Sequence, residues 1–260
     1  MKTPIYIAVA AHKAYEFPED AGYRPLHVGS EQSANPLPID ADNSGEHISS
    51  LNKYFCELTG IYWMWKNVDA DIYGLAHYRR YFSALDNGIT LKNQRIATTS
   101  SLCRLLDTHD VVISKPRNYW IESVRKHYAN AHKVEDLEII EHILRSDYPE
   151  YLDAYDRTMN TTSISLYNMF VMKSEHFKRY CQWLFDILLK AKQDIPYETY
   201  GPYQRRVFGF LAERLLNVWI NHNIPAKRIK HCKVVNIEGE NIFKKAIGLL
   251  ERKLKGIKQA

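Results

Sequence analysis

The chain has 260 residues, of which 45% are hydrophobic and 12% aromatic, enough apolar mass to fill one large core and too much for an intrinsically disordered protein. No apolar run reaches the ~18 residues of a membrane-spanning helix, and Met1-Lys2-Thr3-Pro4 opens no secretory leader, so a cytoplasmic protein is expected. The net charge of +5 is local: Lys244, Lys245, Arg252, Lys253, Lys255 and Lys258 face only Glu251 within residues 241–260, and the near-neutral remainder argues against a nucleic-acid partner.

Pro4 to Ala10 reads as a buried strand, followed at once by His12 and Lys13. Residues 16–45 are rich in Pro, Gly, Asp and Asn and read as a long functional loop. The spacing of Leu51, Phe55, Leu58, Tyr62 and Trp65 predicts one helix over 48–67. Asp69-Ala-Asp71 has the Asp-x-Asp form of a metal-binding pair, but it precedes a strand where that signature ordinarily follows one.

The strand Ile72 to Ala76 runs into His77-Tyr-Arg-Arg-Tyr-Phe82. In open α/β sheets ligands bind at the carboxyl ends of strands, and guanidinium forks match phosphate and carboxylate oxygens. Arg79 and Arg80 beside His77 therefore suggest an anion site; a surface turn with paired arginines is the plain alternative. Asp110 to Lys115 is a further strand with cations at its end, and helices follow near 121–132, 135–146 and 150–158. His127 and His132, five apart, do not share a helix face as a metal pair would.

Ser165 to Met172 reads as a strand interrupted by Asn168, whose amide needs either a structural partner or a ligand. Helices over 176–190 and 204–221 come next, the second carrying Glu213-Arg214, and a strand over 229–237 precedes the tail. Cys56, Cys103, Cys181 and Cys232 are widely spaced with no C-x-x-C pair, which favours reduced thiols over zinc ligands or disulfides. The expected division is a catalytic domain over 1–238 and a basic amphipathic helix over 239–260. Such a helix suits an anionic inner-membrane surface, a second copy of the chain, or packing on its own domain.

Asp42-Asn-Ser-Gly-Glu-His-Ile-Ser49, Cys56-Glu-Leu-Thr-Gly-Ile-Tyr-Trp63, Trp65-Lys-Asn67, Gly74-Leu-Ala-His-Tyr-Arg-Arg-Tyr-Phe82, Tyr167-Asn-Met-Phe170 and Gly209-Phe-Leu-Ala-Glu-Arg-Leu215 together resemble one family. It is the capsular-polysaccharide and O-antigen glycosyltransferase family once catalogued as a domain of unknown function and later assigned as galactofuranosyltransferases. The resemblance implies a GT-A-like α/β fold with a mixed, mostly parallel sheet flanked by helices. It also implies a UDP-galactofuranose donor, a glycan or undecaprenyl-diphosphate-linked glycan acceptor, and inversion at the anomeric carbon. One segment departs from the family pattern, reading Glu46-His47 where the family carries Asp-Asn.

The donor-binding candidates are His12, Lys13, Asp42, Asn43, Gly45, Asn52, Lys66, Asn67, His77, Arg79 and Arg80, and the acceptor-binding candidates are His127, His132, Asn168 and Arg214. Glu213, His77 and Asp136 are the candidate catalytic groups, with Glu57 a further carboxylate in reach of the role. Fixed cations are expected to neutralise the leaving diphosphate with no cofactor required; a divalent metal on Asp69 and Asp71 is the alternative.

Overall fold

The structure, a computed structural model, describes residues 3–239; the basic amphipathic segment expected beyond them lies outside that range. β1 (Thr3–Ala11) alternates its side chains between two apolar environments, with Tyr6, Ala8 and Ala10 in one and Ile7, Val9 and Ala11 in the other, all buried. A strand buried on both faces belongs at the centre of a layered α/β unit. β2 (Tyr23–His27) and β3 (Asp40–Ala41) continue the sheet on one side. Both fall in the stretch expected to be loop, because Pro25 interrupts the strand signature of β2 and β3 is too short to carry any period.

Two helices stand where one was expected: α1 (Asn52–Phe55) and α2 (Leu58–Asn67). The break is at Cys56, whose φ of 53° and ψ of −133° no helix tolerates. Asn52 Nδ2 donates to the Cys56 carbonyl at 2.7 Å and fixes the turn, leaving Glu57 at its corner. β4 (Ala70–His77) then runs parallel to β1 and doubles back into β5 (Arg80–Phe82) through Tyr78 and Arg79. A Cβ on Gly74, mid-strand in β4, would lie 3.0 Å from the Phe170 carbonyl oxygen and from Ile7, so any side chain there would crowd its neighbours.

The hairpin β6 (Ile89–Leu91) and β7 (Gln94–Ile96) and helix α3 (Thr99–Leu105) cover one face of the sheet. β8 (Val111–Ser114) rejoins it, and short β9 (Arg117–Asn118) leads to α4 (Val124–Ala131), α5 (Glu135–Asp147) and α6 (Leu152–Asn160). β10 (Ser163–Ile164) pairs with β9 before β11 (Phe170–Lys173) enters the sheet. α7 (Ser174–Asp194) and α8 (Val207–Asn223) pack with α2 on the second face, and β12 (Ile229–Cys232) and β13 (Val234–Asn236) finish the described chain. The expected strand over 165–172 begins at Phe170, because Tyr167 and Asn168 adopt left-handed backbone with φ of 78° and 52°.

Among the described residues nine strands make the main sheet, on the path β12-β8-β11-β4-β1-β2-β3, with β5 bonded to β4 and β13 to β5. β1 through β4 are parallel, β12 is parallel to β8, and β11 is antiparallel to both β4 and β8. The carboxyl ends of β1, β2, β3, β4, β8 and β12 therefore share one edge with the chain entering β11. This is the mixed, mostly parallel sheet flanked by helices that the resemblance implied.

Two buried aspartates contrast sharply. Asp42 accepts hydrogen bonds from Gly29 N at 2.9 Å, Ser30 N at 3.1 Å, Ser30 Oγ at 3.0 Å, Ser49 Oγ at 2.5 Å and Thr59 Oγ1 at 2.6 Å, tying the loop after β2 to α2. Asp136, on the first turn of α5, accepts one from Tyr200 Oη at 2.7 Å, and burial pushes its carboxyl up from 3.8 to about 6. Asp42→Ala should cost about 3 kcal/mol or more in denaturant unfolding, since several charge-assisted bonds go together. A folded-state pKa above the unfolded one stabilises below the unfolded value and loses that contribution as pH rises through the folded one. Asp136→Asn should accordingly gain stability on the parent, on the order of 1 kcal/mol, as pH rises through about 6; equal melting curves at pH 5 and 8 would contradict this.

Candidate active site

The carboxyl edge collects cations from elements far apart in sequence. His12 and Lys13 follow β1, and the Tyr78-Arg79 turn follows β4. The rings of His12 and Tyr78 meet edge to face at 5.1 Å, while Lys13 Nζ lies 5.3 Å and the Arg79 guanidinium 5.5 Å from the Tyr78 ring. Arg79 pairs with Glu238 at 3.4 Å, and Arg80 lies 4.8 Å over the Tyr167 ring. Arg206, just before α8, donates through Nε to Cys56 Sγ at 3.3 Å. Partial burial, then the charges of Lys13, Arg79 and Arg206, push the His12 imidazole below its ordinary value. Those three cations thus sit within electrostatic reach of one ring, and a chain with a near-neutral body concentrates positive potential here.

Beside the cations is a linked set of acids, amide and imidazole. Glu213 on α8 has one carboxylate oxygen accepting the Tyr167 N–H at 2.7 Å and the other paired with Arg214 at 3.0 Å. The Tyr167 carbonyl accepts a hydrogen bond from His77 Nε2 at 2.7 Å, which puts the proton on that nitrogen. Asn168 donates through Nδ2 to Glu57 Oε1 at 2.7 Å and to the Gly209 carbonyl at 3.2 Å. Its Oδ1 is buried and has no partner among the described residues. Burial pushes the Glu213 carboxyl up against the opposing pull of Arg214. Burial also pushes His77 down, with Glu57 pulling it back.

Apart from Asn168, the acceptor candidates gather around α4. Arg214 is 3% exposed, donates to the Phe210 carbonyl at 2.9 Å and stacks 5.1 Å from the Tyr128 ring. His127 stacks on Tyr119 at 3.7 Å; His132 stacks on Phe210 at 4.1 Å and bonds Gln204 at 3.0 Å. Burial, reinforced by the Arg214 charge, holds His132 at about 4. A cavity of about 460 Å³ opens against His132, Tyr200 and Gln204, beside the Glu57–Glu213 cluster rather than at it. Asp136, a carboxylate expected in catalysis, is 2% exposed beneath Tyr200 and stands apart from the Glu57–Glu213 set.

Several donor candidates are placed elsewhere. Both oxygens of Asp42 are taken up by backbone and hydroxyl donors, and Asn52 spends its amide on the Cys56 carbonyl and Thr59 Oγ1. Lys66 and Asn67 end α2, which feeds the amino end of β4. They therefore lie a strand length from His77, about 23 Å at ~3.3 Å per residue. Asn67 holds the loop through Glu46 N at 3.1 Å and the Glu46 carbonyl at 2.9 Å, with Gly45 packed against it and Asn43 exposed. Lys66 pairs with Glu46 at 3.0 Å. The Glu46-His47 departure belongs to this remote loop, where Tyr62 Oη donates to Glu46 at 2.7 Å.

Asp69 and Asp71 also stand at the amino end of β4, opposite the cationic edge. Among the described residues no group of three or more His, Cys, Asp or Glu is arranged to hold a metal ion. Sequence reasoning missed Arg206. Its signal was the Gln204-Arg-Arg206 run ahead of the late motif, but nothing local says that this end of α8 meets the sheet edge.

No curated protein matches the chain. A solved structure of WbbM, described as a bifunctional glycosyltransferase in its apo form, superposes with a TM-score of 0.81 at 27% identity, covering 92% of this chain and 46% of that one. The chain thus spans about half the length of that neighbour, and its architecture is GT-A-like. Residues 6–224, which include every motif from Asp42 to Leu215, match a family described as a domain of unknown function. The chain belongs to that family, DUF4422.

Proposed function

We propose that this chain is a glycosyltransferase of bacterial surface polysaccharide synthesis that transfers galactofuranose from UDP-galactofuranose to a glycan acceptor with inversion. The observation that carries the reading is the convergence of Lys13, Arg79, Arg80 and Arg206 at one sheet edge around Glu57, His77 and Glu213, on a fold that superposes with a glycosyltransferase. The furanose donor, inversion and a lipid-linked acceptor rest on the motif resemblance.

The chemistry of the edge suits a nucleoside diphosphate. Cations fixed by ring contacts and hydrogen bonds are already oriented when negative charge develops on the departing UDP, and preorganised charge of this kind lowers a barrier without reorganisation at the moment of reaction. Tyr167, half-buried beneath Arg80, offers a flat face for the uracil or ribose. His127 and His132 border the opposite side, where the acceptor would approach the face of the sugar away from UDP.

A screen of UDP-sugars against a glycan acceptor tests the class directly: UDP-galactofuranose should be consumed fastest, and preference for another UDP-sugar would replace the donor while keeping the class. In excess EDTA the rate should stay within about twofold of that with Mn²⁺, as fixed cations require; loss that Mn²⁺ restores would return a metal to the mechanism. Arg80→Ala should weaken UDP binding about tenfold to a hundredfold in calorimetry, the loss of one charged hydrogen-bonding group. Its melting temperature should not move, because Arg80 has ring contact rather than an ion pair to lose.

A further inference from the structure

We infer that Glu57 is the catalytic base of the transfer, and that Glu213 and Asn168 are positioning residues that aim it. This assignment rests on the glycosyltransferase reading above and replaces Glu213 in the role expected for it from sequence.

Neither oxygen of Glu213 is uncommitted: one accepts the Tyr167 N–H and the other accepts from Arg214, itself almost wholly buried. The bond to Tyr167 holds a backbone that costs free energy to hold. Tyr167 and Asn168 are consecutive non-glycine residues with left-handed φ of 78° and 52°, a conformation costing ~1–2 kcal/mol per residue without outside support. That turn has two outputs: the Tyr167 carbonyl takes the His77 Nε2–H, and the Asn168 side chain reaches Glu57.

Glu57 is built differently. It occupies the corner between α1 and α2, set by the Cys56 backbone, where a continuous helix would have turned it elsewhere. Oε1 accepts from Asn168 at 2.7 Å, while Oε2, on a half-buried side chain, has no hydrogen-bond partner among the described residues. One oxygen is fixed and one is available, the arrangement a base needs to take a proton from a bound hydroxyl. The groups near enough to act electrostatically on Glu57 are His77 from the end of β4, Glu213 from α8, Arg206 ahead of α8, Tyr180 from α7, and the neighbouring Cys56.

In the step itself, the acceptor O–H proton passes to Glu57 Oε2 and the acceptor oxygen lone pair forms the new bond to the anomeric carbon. The bond from that carbon to the UDP oxygen breaks on the opposite face, and its electron pair leaves with UDP, beside Arg79 and Arg80. The proton on Glu57 returns to water after the product departs.

Transfer from UDP-galactofuranose, UDP affinity by calorimetry and melting temperature should be measured on the full chain and on three variants. Glu57→Gln keeps the acceptor for Asn168 and should lose about 10³-fold in kcat, with UDP affinity and melting temperature unchanged and the ascending limb of the pH–rate profile gone. Glu213→Gln should slow the reaction but keep that limb. Formate added to Glu57→Ala should restore part of the lost rate by supplying a small carboxylate. Near-parental rates in Glu57→Gln, or an ascending limb lost only in Glu213→Gln, would overturn the assignment while leaving the transferase reading intact. A parent protein that turns over no UDP-sugar would overturn both.

Discussion

The hydrogen bond from the Tyr167 N–H to Glu213 is the constraint on which the candidate site depends. It holds two residues in left-handed backbone where β11 would otherwise begin, and through them it sets the position of an imidazole and of a second carboxylate. Arg214 neutralises the acid that makes the bond, and α8 is apolar enough on its remaining faces to bury both. A buried pair of this kind contributes little net stability against its desolvation cost. Its value here is geometric, since it converts the rigidity of a packed helix into the placement of groups at a sheet edge.

The cations are held by a different device. Lys13, Arg79 and Arg80 rest on tyrosine rings, and Arg206 is anchored to a thiol, so little of their charge is cancelled by carboxylates. Ring contacts orient a guanidinium or ammonium at modest cost and leave its donors available to an anion. The Arg79–Glu238 pair is the exception, and both partners are exposed enough for solvent to screen it. A neutral body with a positive edge steers a diphosphate to that edge without making the whole surface adhesive to polyanions.

The same topology explains why resemblance of motif does not guarantee a place in the site. Asp42, Asn52 and Asn67 carry the residue types of ligand contacts, yet each spends hydrogen-bonding capacity on backbone, and Asp42 and Asn52 also on hydroxyls, fastening irregular chain to α2. Loops without regular pairing must satisfy their polar groups somehow, and buried Asp and Asn do so at the cost of availability. Lys66 and the Asp69–Asp71 pair stand at the end of β4 opposite the cations, since a helix that feeds a parallel strand ends at the amino edge of the sheet.

Much of the fold was legible in the residues themselves. The double-faced apolar pattern of β1, the run into His77-Tyr-Arg-Arg80 and the apolar periodicity of α7 and α8 determine a layered α/β domain with chemistry at a strand end, because burial period and local composition are properties of short windows. Short β2 and β3, the break at Cys56 and the left-handed turn at Tyr167 were not legible there. The strands are decided by pairing, β1 with β2 and β2 with β3, and the left-handed turn by Glu213 beneath Tyr167, while the break at Cys56 depends on where Asn52 directs its amide. His77 and Glu213 were visible as a titratable pair, but whether a carboxylate is committed or available depends on what surrounds both its oxygens. Only the tertiary structure brings Arg206, Asn168 and Glu57 to that edge, because the strand order that unites them is set by long-range pairing and not by any local pattern.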